Sequence, residues 1–173
     1  VSVSTRKDGL LRFCFPQQKE RKRSSVTSVK FRREDKWANS IKSVIYAANK
    51  LGKSFSGLNF CVHSQFVSSM GMGVTSAIKT ASALALYEYC GFKGGRNNVA
   101  QKMMEIGDSE FLGMETIWSD IYTNLYSKKD FCTLTNCNSN EYEHLPFNLK
   151  GYSIVITDSR VPRFGLGPES YLY

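Results

Sequence analysis

The stretch that decides the fold covers residues 65–90 and reads QFVSSMGMGVTSAIKTASALALYEYC. Two spaced glycines, Gly71 and Gly73, lead directly into a long helical pattern of apolar and small residues. Such a loop presents backbone N–H groups at the positive end of a helix dipole, where anions bind. Thr75 and Ser76 could cap the helix or offer a hydroxyl to a bound group. The pattern matches neither a Walker loop nor a dinucleotide fingerprint, so a plain strand-to-helix turn stays open as well.

Length and charge set the outer limits of the interpretation. The chain has 173 residues, 42% of them apolar, which is enough to bury the core of one domain. Its net charge of +8 indicates an anionic partner but does not choose among nucleotide, nucleic acid and membrane surface. Many basic residues lie between Lys19 and Arg33, in KERKR and VKFRRE. We interpret this segment mainly as a solvated loop and strand face, with contact to a ligand as the alternative.

Cysteine and histidine usage indicates the compartment. The five cysteines are odd in number, scattered and without a CxxC pair, which is typical of reduced, buried thiols. His63 and His144 lack metal-ligand spacing with any cysteine, so no zinc site is expected. The sequence has no 18-residue apolar stretch and no signal-peptide pattern. We therefore expect a soluble cytoplasmic protein.

Apolar periodicity and turn residues predict a mixed order of elements. Strands come first, clustered helices follow, and further strands close the chain. This order predicts an α+β fold, a single domain over residues 1–173 with helices packed on one face of a largely antiparallel sheet. The predicted elements are a hairpin in 1–15 turning at Asp8 and Gly9, a loop at 16–25, a strand at 26–33, a helix from Trp37 to a stop at Gly52, a strand at 58–62, helices at 75–89, 98–106 and 117–125, and strands at 130–137, 142–146 and 151–159.

Two aspartates are candidates for chemistry beside the glycine loop. Asp108 follows the second predicted helix in EIGDSEFLG, and Asp120 lies in IWSDIYTNL. Phosphoryl transfer needs a carboxylate for the metal that bridges the phosphates, and usually another for the acceptor hydroxyl. Each aspartate taken alone is more typical of a helix cap. The chemical interpretation therefore requires that Ser76, Asp108 and Asp120 meet at the mouth of the glycine turn.

Several segments together resemble one known family. RKDGLL resembles an early hairpin, WANSIKSVI a tryptophan-containing helix, and SSMGMGVTSA an ATP loop of the galactokinases within the GHMP small-molecule kinases. FLGM, IWSDI and TNCNSNEYEHLPFNLKGYSIVITDS continue the resemblance without a gap. It implies the fold of a GHMP-kinase N-terminal domain. It also implies ATP-dependent phosphorylation of galactose or a related sugar at C1, with ATP and Mg²⁺ as cofactors and without a nucleic-acid or membrane partner.

The resemblance also implies roles for individual residues. Asp120 matches the aspartate proposed as catalytic base, and Ile117 lies with it at the sugar pocket. Ser76 and Asp108 match the residues that bind the metal. The predicted ATP-binding residues are Ser69, Met70, Gly71, Met72, Gly73, Val74, Thr75 and Ser76.

Departures from the family pattern leave alternatives open. Ser68 replaces the usual loop proline, Gly73 a leucine, Ile117 a pocket glycine and Ile121 a glutamine. The family's upstream sugar-binding signature and its C-terminal domain are not in this sequence, so we expect an incomplete part of the enzyme that is inactive alone. A non-catalytic sensor of sugar and nucleotide is the main alternative. A basic nucleic-acid-binding module is the third, although the sequence has no RNA motif or recognition-helix pattern.

Overall fold

The structure is a computed structural model, and it describes residues 1–65, 73–136, 138–139 and 141–157. Six strands and four α-helices are found in these ranges. The strands are β1 (Ser2–Thr5), β2 (Leu10–Phe15), β3 (Glu20–Ser25), β4 (Leu58–Cys61), β5 (Phe131–Asn136) and β6 (Glu141–Pro146). The helices are α1 (Ala38–Lys50), α2 (Val74–Cys90), α3 (Arg96–Ile106) and α4 (Trp118–Tyr126).

The main sheet has four strands in the order β1-β4-β2-β3. Strand β4 pairs antiparallel with β1 and parallel with β2, and β2 pairs antiparallel with β3. Alternation along β2 buries Leu11, Phe13 and Phe15, and β4 buries Leu58 and Phe60. Because side chains alternate across a strand, these residues form one apolar face, and the helices cover it.

The helices follow from apolar spacing and glycine stops. Helix α1 buries Ile41, Val44 and Ile45, and it ends where Gly52 takes a φ of +83°. Helix α2 packs against α1 and α3, so it runs through the middle of the helical layer. Its position places its first turn next to the start of α4.

A separate two-stranded sheet, β5 with β6, lies beside α4. Tyr142 of β6 stacks on Tyr126 of α4, with ring centroids 4.5 Å apart. The architecture confirms the predicted α+β class, with helices packed on one face of the main sheet. Among the described residues, no helix combines the length and apolar character needed to cross a membrane.

Four local predictions were wrong. The first two strands form, but they do not pair as a hairpin, because β4 lies between them. The predicted loop at 16–25 contains β3, which is the true hairpin partner of β2. The predicted strand at 26–33 has no strand partner beyond one isolated bridge, Ser25 with Ser28. Residues 152–157, in the last predicted strand, adopt no regular structure.

Candidate active site

The described part of the predicted loop begins at Gly73, directly before α2. Gly73 has a φ of +65°, in the left-handed region that favours glycine. A Cβ added there would lie 3.4 Å from Oδ2 of Asp120. The glycine therefore lets the turn and the carboxylate approach closely. Ser69, Met70, Gly71 and Met72 lie outside the described residues.

Ser76 and Asp120 are brought together by the starts of two helices. The Ser76 hydroxyl donates a hydrogen bond of 2.7 Å to Oδ2 of Asp120. Ser76 lies in the first turn of α2 and Asp120 in the first turn of α4. Two positive helix ends thus face this half-buried carboxylate, and they favour negative charge at this place. No hydrogen bond among the described residues ends on Oδ1 of Asp120, which leaves that oxygen for another group.

Asp108 faces a different partner. Its Oδ1 accepts a hydrogen bond from Nζ of Lys79, and the two side chains form a buried ion pair. Asp108 is fully buried, and Lys79 is only 5% exposed. Because Lys79 follows Ser76 by three residues, the ion pair lies about one helical turn below the Ser76–Asp120 contact. Ser76 and Asp120 are therefore in contact, whereas Asp108 lies nearby with a different partner. The three predicted residues do not form one cluster.

A π-helical turn after α3 carries Asp108 into the interior. Residues Gly107–Leu112 form a wide π-helical turn that packs against α1. A Cβ at Gly107 would lie 2.9 Å from the Ser43 carbonyl oxygen of α1, so a side chain there would collide with backbone. Glycine at this position lets the turn approach α1 and bury the next residue.

Burial is the main influence on Asp108. Desolvation raises the pKa of the Asp108 carboxyl, while the hydrogen bond and charge of Lys79, and more weakly Thr116, act to lower it. The second oxygen, Oδ2, is buried and has no close hydrogen-bond partner within the described ranges. Such an atom is costly to bury, and a proton donor or cation could serve it.

The arrangement does not fit the magnesium ion that the resemblance implies at Ser76 and Asp108. Mg²⁺ prefers carboxylate oxygens with free negative charge, whereas Lys79 already neutralises Asp108. A divalent cation about 5 Å from an ammonium group meets a repulsion of roughly 7 kcal/mol at an effective dielectric constant of about 20. Among the described residues, no group of three or more His, Cys, Asp or Glu side chains could hold a metal ion.

Ile117 precedes α4 as its N-terminal flanking residue. Its side chain is 43% exposed, so it reaches solvent near the start of the helix that carries Asp120. Trp118, the next residue, packs against Tyr122 with ring centroids 6.2 Å apart. Trp118 is therefore partly committed to packing, while Ile117 is available to contact a ligand.

An apolar cavity of about 310 Å³ adjoins the first two turns of α2. It lies between these turns and the end of β4. Its wall includes Val62, Val74, Ala77 and Ile78, and it also has the polar side chain of His63. A mostly apolar wall with few polar groups is the usual lining of a small-molecule site.

Lys79 is the site residue that the sequence reasoning missed. The signal was a lone lysine within TSAIKTASALALY, a helix otherwise built from apolar and small residues. A lysine on such a helix requires an acidic partner when it is buried. Its partner lies 29 residues away in the chain, beyond the reach of local spacing.

Comparisons with known proteins agree on one group of relatives. The chain is 34% identical over 164 residues to the putative galactokinase of Treponema pallidum. The aligned region is 95% of this chain and 41% of that protein. It is 30% identical over 154 residues to the galactokinase of Thermotoga maritima, covering 89% of this chain and 43% of that protein. The chain thus spans less than half the length of these relatives. No family model matches it.

Solved structures show the same fold. A crystal structure of Lactococcus lactis galactokinase complexed with galactose matches with a TM-score of 0.70 at 15% identity, covering 91% of this chain and 43% of that one. A mevalonate kinase matches with a TM-score of 0.57 at 14% identity, covering 83% of this chain and 45% of that one. At these identities the structural matches establish the fold alone.

Proposed function

On the premise that this chain is a galactokinase homologue over nearly all of its length, we propose that it forms part of an ATP-dependent sugar kinase. The proposed reaction phosphorylates galactose or a related sugar at its C1 hydroxyl. The observation that carries the proposal is the contact between Ser76 and Asp120 where α2 and α4 begin. It supplies a positioned carboxylate beside two helix ends that favour negative charge.

In the proposed reaction, Asp120 receives or orients the proton of the sugar hydroxyl. The hydroxyl oxygen forms a bond to the γ-phosphorus of ATP, the bond from that phosphorus to the β,γ-bridging oxygen breaks, and ADP leaves. Ser76 holds Oδ2 of Asp120, and no described residue donates to Oδ1, so Oδ1 is the oxygen that would face the substrate. A base must lie within hydrogen-bond reach of the proton it takes, and the fixed carboxylate meets this need in a single orientation. We assign no step to a metal held by Ser76 and Asp108.

We propose that the nucleotide phosphates lie at the start of α2. The backbone N–H groups of its first turn point toward this end, and the structure gives the helix no side-chain cap. The adjoining apolar cavity is suited to the nucleobase. Ser69, Met70, Gly71, Met72, Gly73, Val74, Thr75 and Ser76 remain the predicted ATP-binding residues.

The test is phosphorylation of galactose by the longest natural polypeptide that contains residues 1–173. Asp120→Asn keeps the side-chain shape but removes the base, so we expect kcat to fall roughly 100- to 10,000-fold. Nucleotide affinity, measured by calorimetry, should change little. Asp130→Asn is the matched control, because Asp130 is exposed and has a φ of +67°, a conformation that asparagine also tolerates.

A non-catalytic sensor is the second candidate, and Ile117 is the observation that favours it. An exposed isoleucine lies where the family resemblance places a small pocket residue, and it would crowd a bound sugar. Saturable binding of ATP without phosphorylation of any tested sugar would support the sensor and overturn the kinase. Turnover by Ile117→Gly but not by the unaltered protein would also support the sensor, and would identify the blocking residue.

A further inference from the structure

The Lys79–Asp108 ion pair occupies the place where the family resemblance puts a metal ligand. We infer that Lys79 is the resident cation of this site, and that its ammonium group replaces a protein-bound divalent metal at Asp108. The inference goes beyond the proposed kinase activity and does not depend on it. A protein that binds nucleotide without turnover would have the same ion pair.

Burial makes the pairing obligatory. Asp108 is fully buried and Lys79 nearly so, and an isolated charge in such a place is strongly unfavourable. Each side chain therefore stabilises the charged form of the other. Neither can turn toward solvent without leaving its partner unpaired in the interior.

The surrounding elements hold the pair in place. Lys79 projects from the middle of the helical layer, and Asp108 projects from the turn that Gly107 seats against α1. Next to them, Thr80 donates a hydrogen bond to the Ser76 carbonyl oxygen and contacts the sulfur of Met104. The ion pair is thus enclosed by packed groups, with little room for a metal and its water ligands.

The neighbouring hydroxyl has a partner of its own. The Ser76 hydroxyl donates a hydrogen bond to Asp120, so the two residues predicted to share a metal are each engaged elsewhere. Of these two residues, Asp108 still offers its buried Oδ2, which has no hydrogen-bond partner among the described residues. A bound metal there would have to displace Lys79 or sit beside its positive charge.

A double-mutant cycle tests the ion pair in the longest natural polypeptide that contains residues 1–173. We expect Lys79→Met and Asp108→Leu each to lower the melting temperature by roughly 10 °C, because each leaves a buried charge unpaired. The double variant should lose clearly less than the sum of the two shifts. The exposed pair Lys50–Glu110 is the matched control, and Lys50→Met with Glu110→Gln should be additive. Additive shifts at Lys79 and Asp108 would overturn the inference.

Manganese binding tests the metal. Mn²⁺ is titrated into the unaltered protein, with and without a non-hydrolysable ATP analogue, and free Mn²⁺ is read by electron paramagnetic resonance. We expect the same Mn²⁺ affinity in the unaltered protein and in Asp108→Asn. A site in the unaltered protein that Asp108→Asn removes would overturn the inference.

A second variant, Ser76→Ala, keeps the test valid if Asp108→Asn fails to fold. It is compared with the unaltered protein without nucleotide, because Ser76 is also a predicted ATP-binding residue. Loss of nucleotide-independent Mn²⁺ binding in Ser76→Ala would overturn the inference, and an unchanged affinity would support it. The proposed kinase function and the ion-pair inference would be refuted by different results. Absence of sugar phosphorylation would remove the kinase and leave the ion pair, whereas Asp108-dependent manganese binding would remove the ion pair and leave the kinase.

Discussion

Two buried lysine–aspartate pairs serve different purposes in this chain. Lys42 of α1 is fully buried, and its ammonium group reaches Oδ2 of Asp35 at 2.6 Å, the Lys30 carbonyl oxygen at 2.5 Å and Oδ1 of Asn39 at 3.4 Å. Lys79 of α2 has one such partner among the described residues, and its Asp108 leaves one oxygen without a close donor. The ammonium group of Lys42 therefore has three acceptors, whereas that of Lys79 has one among the described residues.

This difference in hydrogen bonding distinguishes a structural anchor from a candidate functional site. The Lys42 pair holds the irregular segment between β3 and α1 against the helix, where no ladder of strand hydrogen bonds does so. The Lys79 pair joins α2 to the turn after α3, one helical turn below Ser76 and Asp120. Identical chemistry thus anchors a loop in one place and sets the charge beneath a candidate active site in the other. Incomplete hydrogen bonding is what distinguishes the second place.

The largest expected effect is the loss of stability when the lysine of either buried pair is removed. Lys42→Met should reduce the free energy of unfolding by about 4 kcal/mol, since it leaves the buried Asp35 carboxylate and the Lys30 carbonyl oxygen without their donor. Lys79→Met should cost less, about 3 kcal/mol, because one carboxylate loses its partner. Chemical denaturation of both variants measures the difference. A larger loss for Lys79→Met would contradict the ranking.

A smaller effect addresses the turn that carries Asp108. Gly107→Ala should cost about 1 to 3 kcal/mol, because its Cβ would meet the Ser43 backbone at 2.9 Å and the turn would have to shift. The Lys42 pair should stay intact. Gly95→Ala is the control, since the nearest atom to its Cβ would be the flexible Asn98 side chain at 3.4 Å. Equal losses for both alanine variants, measured by urea unfolding, would refute the role of close approach.

The smallest effect concerns Lys53, which has no acidic partner among the described residues. Lys53 donates to the Cys90 carbonyl oxygen at 2.9 Å, at the far end of α2. Burial raises the pKa of the Cys90 thiol, and the charge of Lys53 lowers it less strongly. Below its usual pKa of about 9 the thiol is neutral in both folded and unfolded chains, so stability is unaffected there. Above it, the unfolded chain ionises first, and stability falls as pH rises.

Alkylation followed by mass spectrometry tests whether the pKa of the Cys90 thiol is raised. Cys90 should react more slowly than the exposed Cys61 at neutral pH. Lys53→Met should slow Cys90 slightly further. A faster reaction at Cys90 than at Cys61 would contradict the raised pKa.

Local signals in the sequence predicted the parts of the fold that depend on local physics. Helix α1 could be predicted because its apolar residues repeat at helical spacing and Gly52 ends it. The pairing of β1 could not, since the turn at Asp8 and Gly9 is real but the strand's partner lies more than 50 residues away. The segment at 26–33 alternates like a strand. In the structure, however, the Lys30 carbonyl oxygen accepts a hydrogen bond from the Lys42 side chain and not from a neighbouring strand.

The same limit applies to the site. The family resemblance singled out Asp120 as the catalytic base, and that role stays a prediction. Its contact with Ser76 brings together two residues that lie 44 positions apart. Lys79 could not be given its partner, because a helical pattern states which face is apolar but not which buried acid meets it. Pairing of buried charges is decided by tertiary packing, which no local pattern contains.

The insertion of β4 between β1 and β2 has a consequence for synthesis on the ribosome. Strand β4 is the last of the four strands of the main sheet to be synthesised. Strand β1 therefore cannot pair with it until residues 58–61 have left the exit tunnel. Until then, only the hairpin of β2 and β3 can close. A nascent chain stalled before residue 58 would therefore expose an unmatched edge, and this is the interval in which a chaperone would have most to protect.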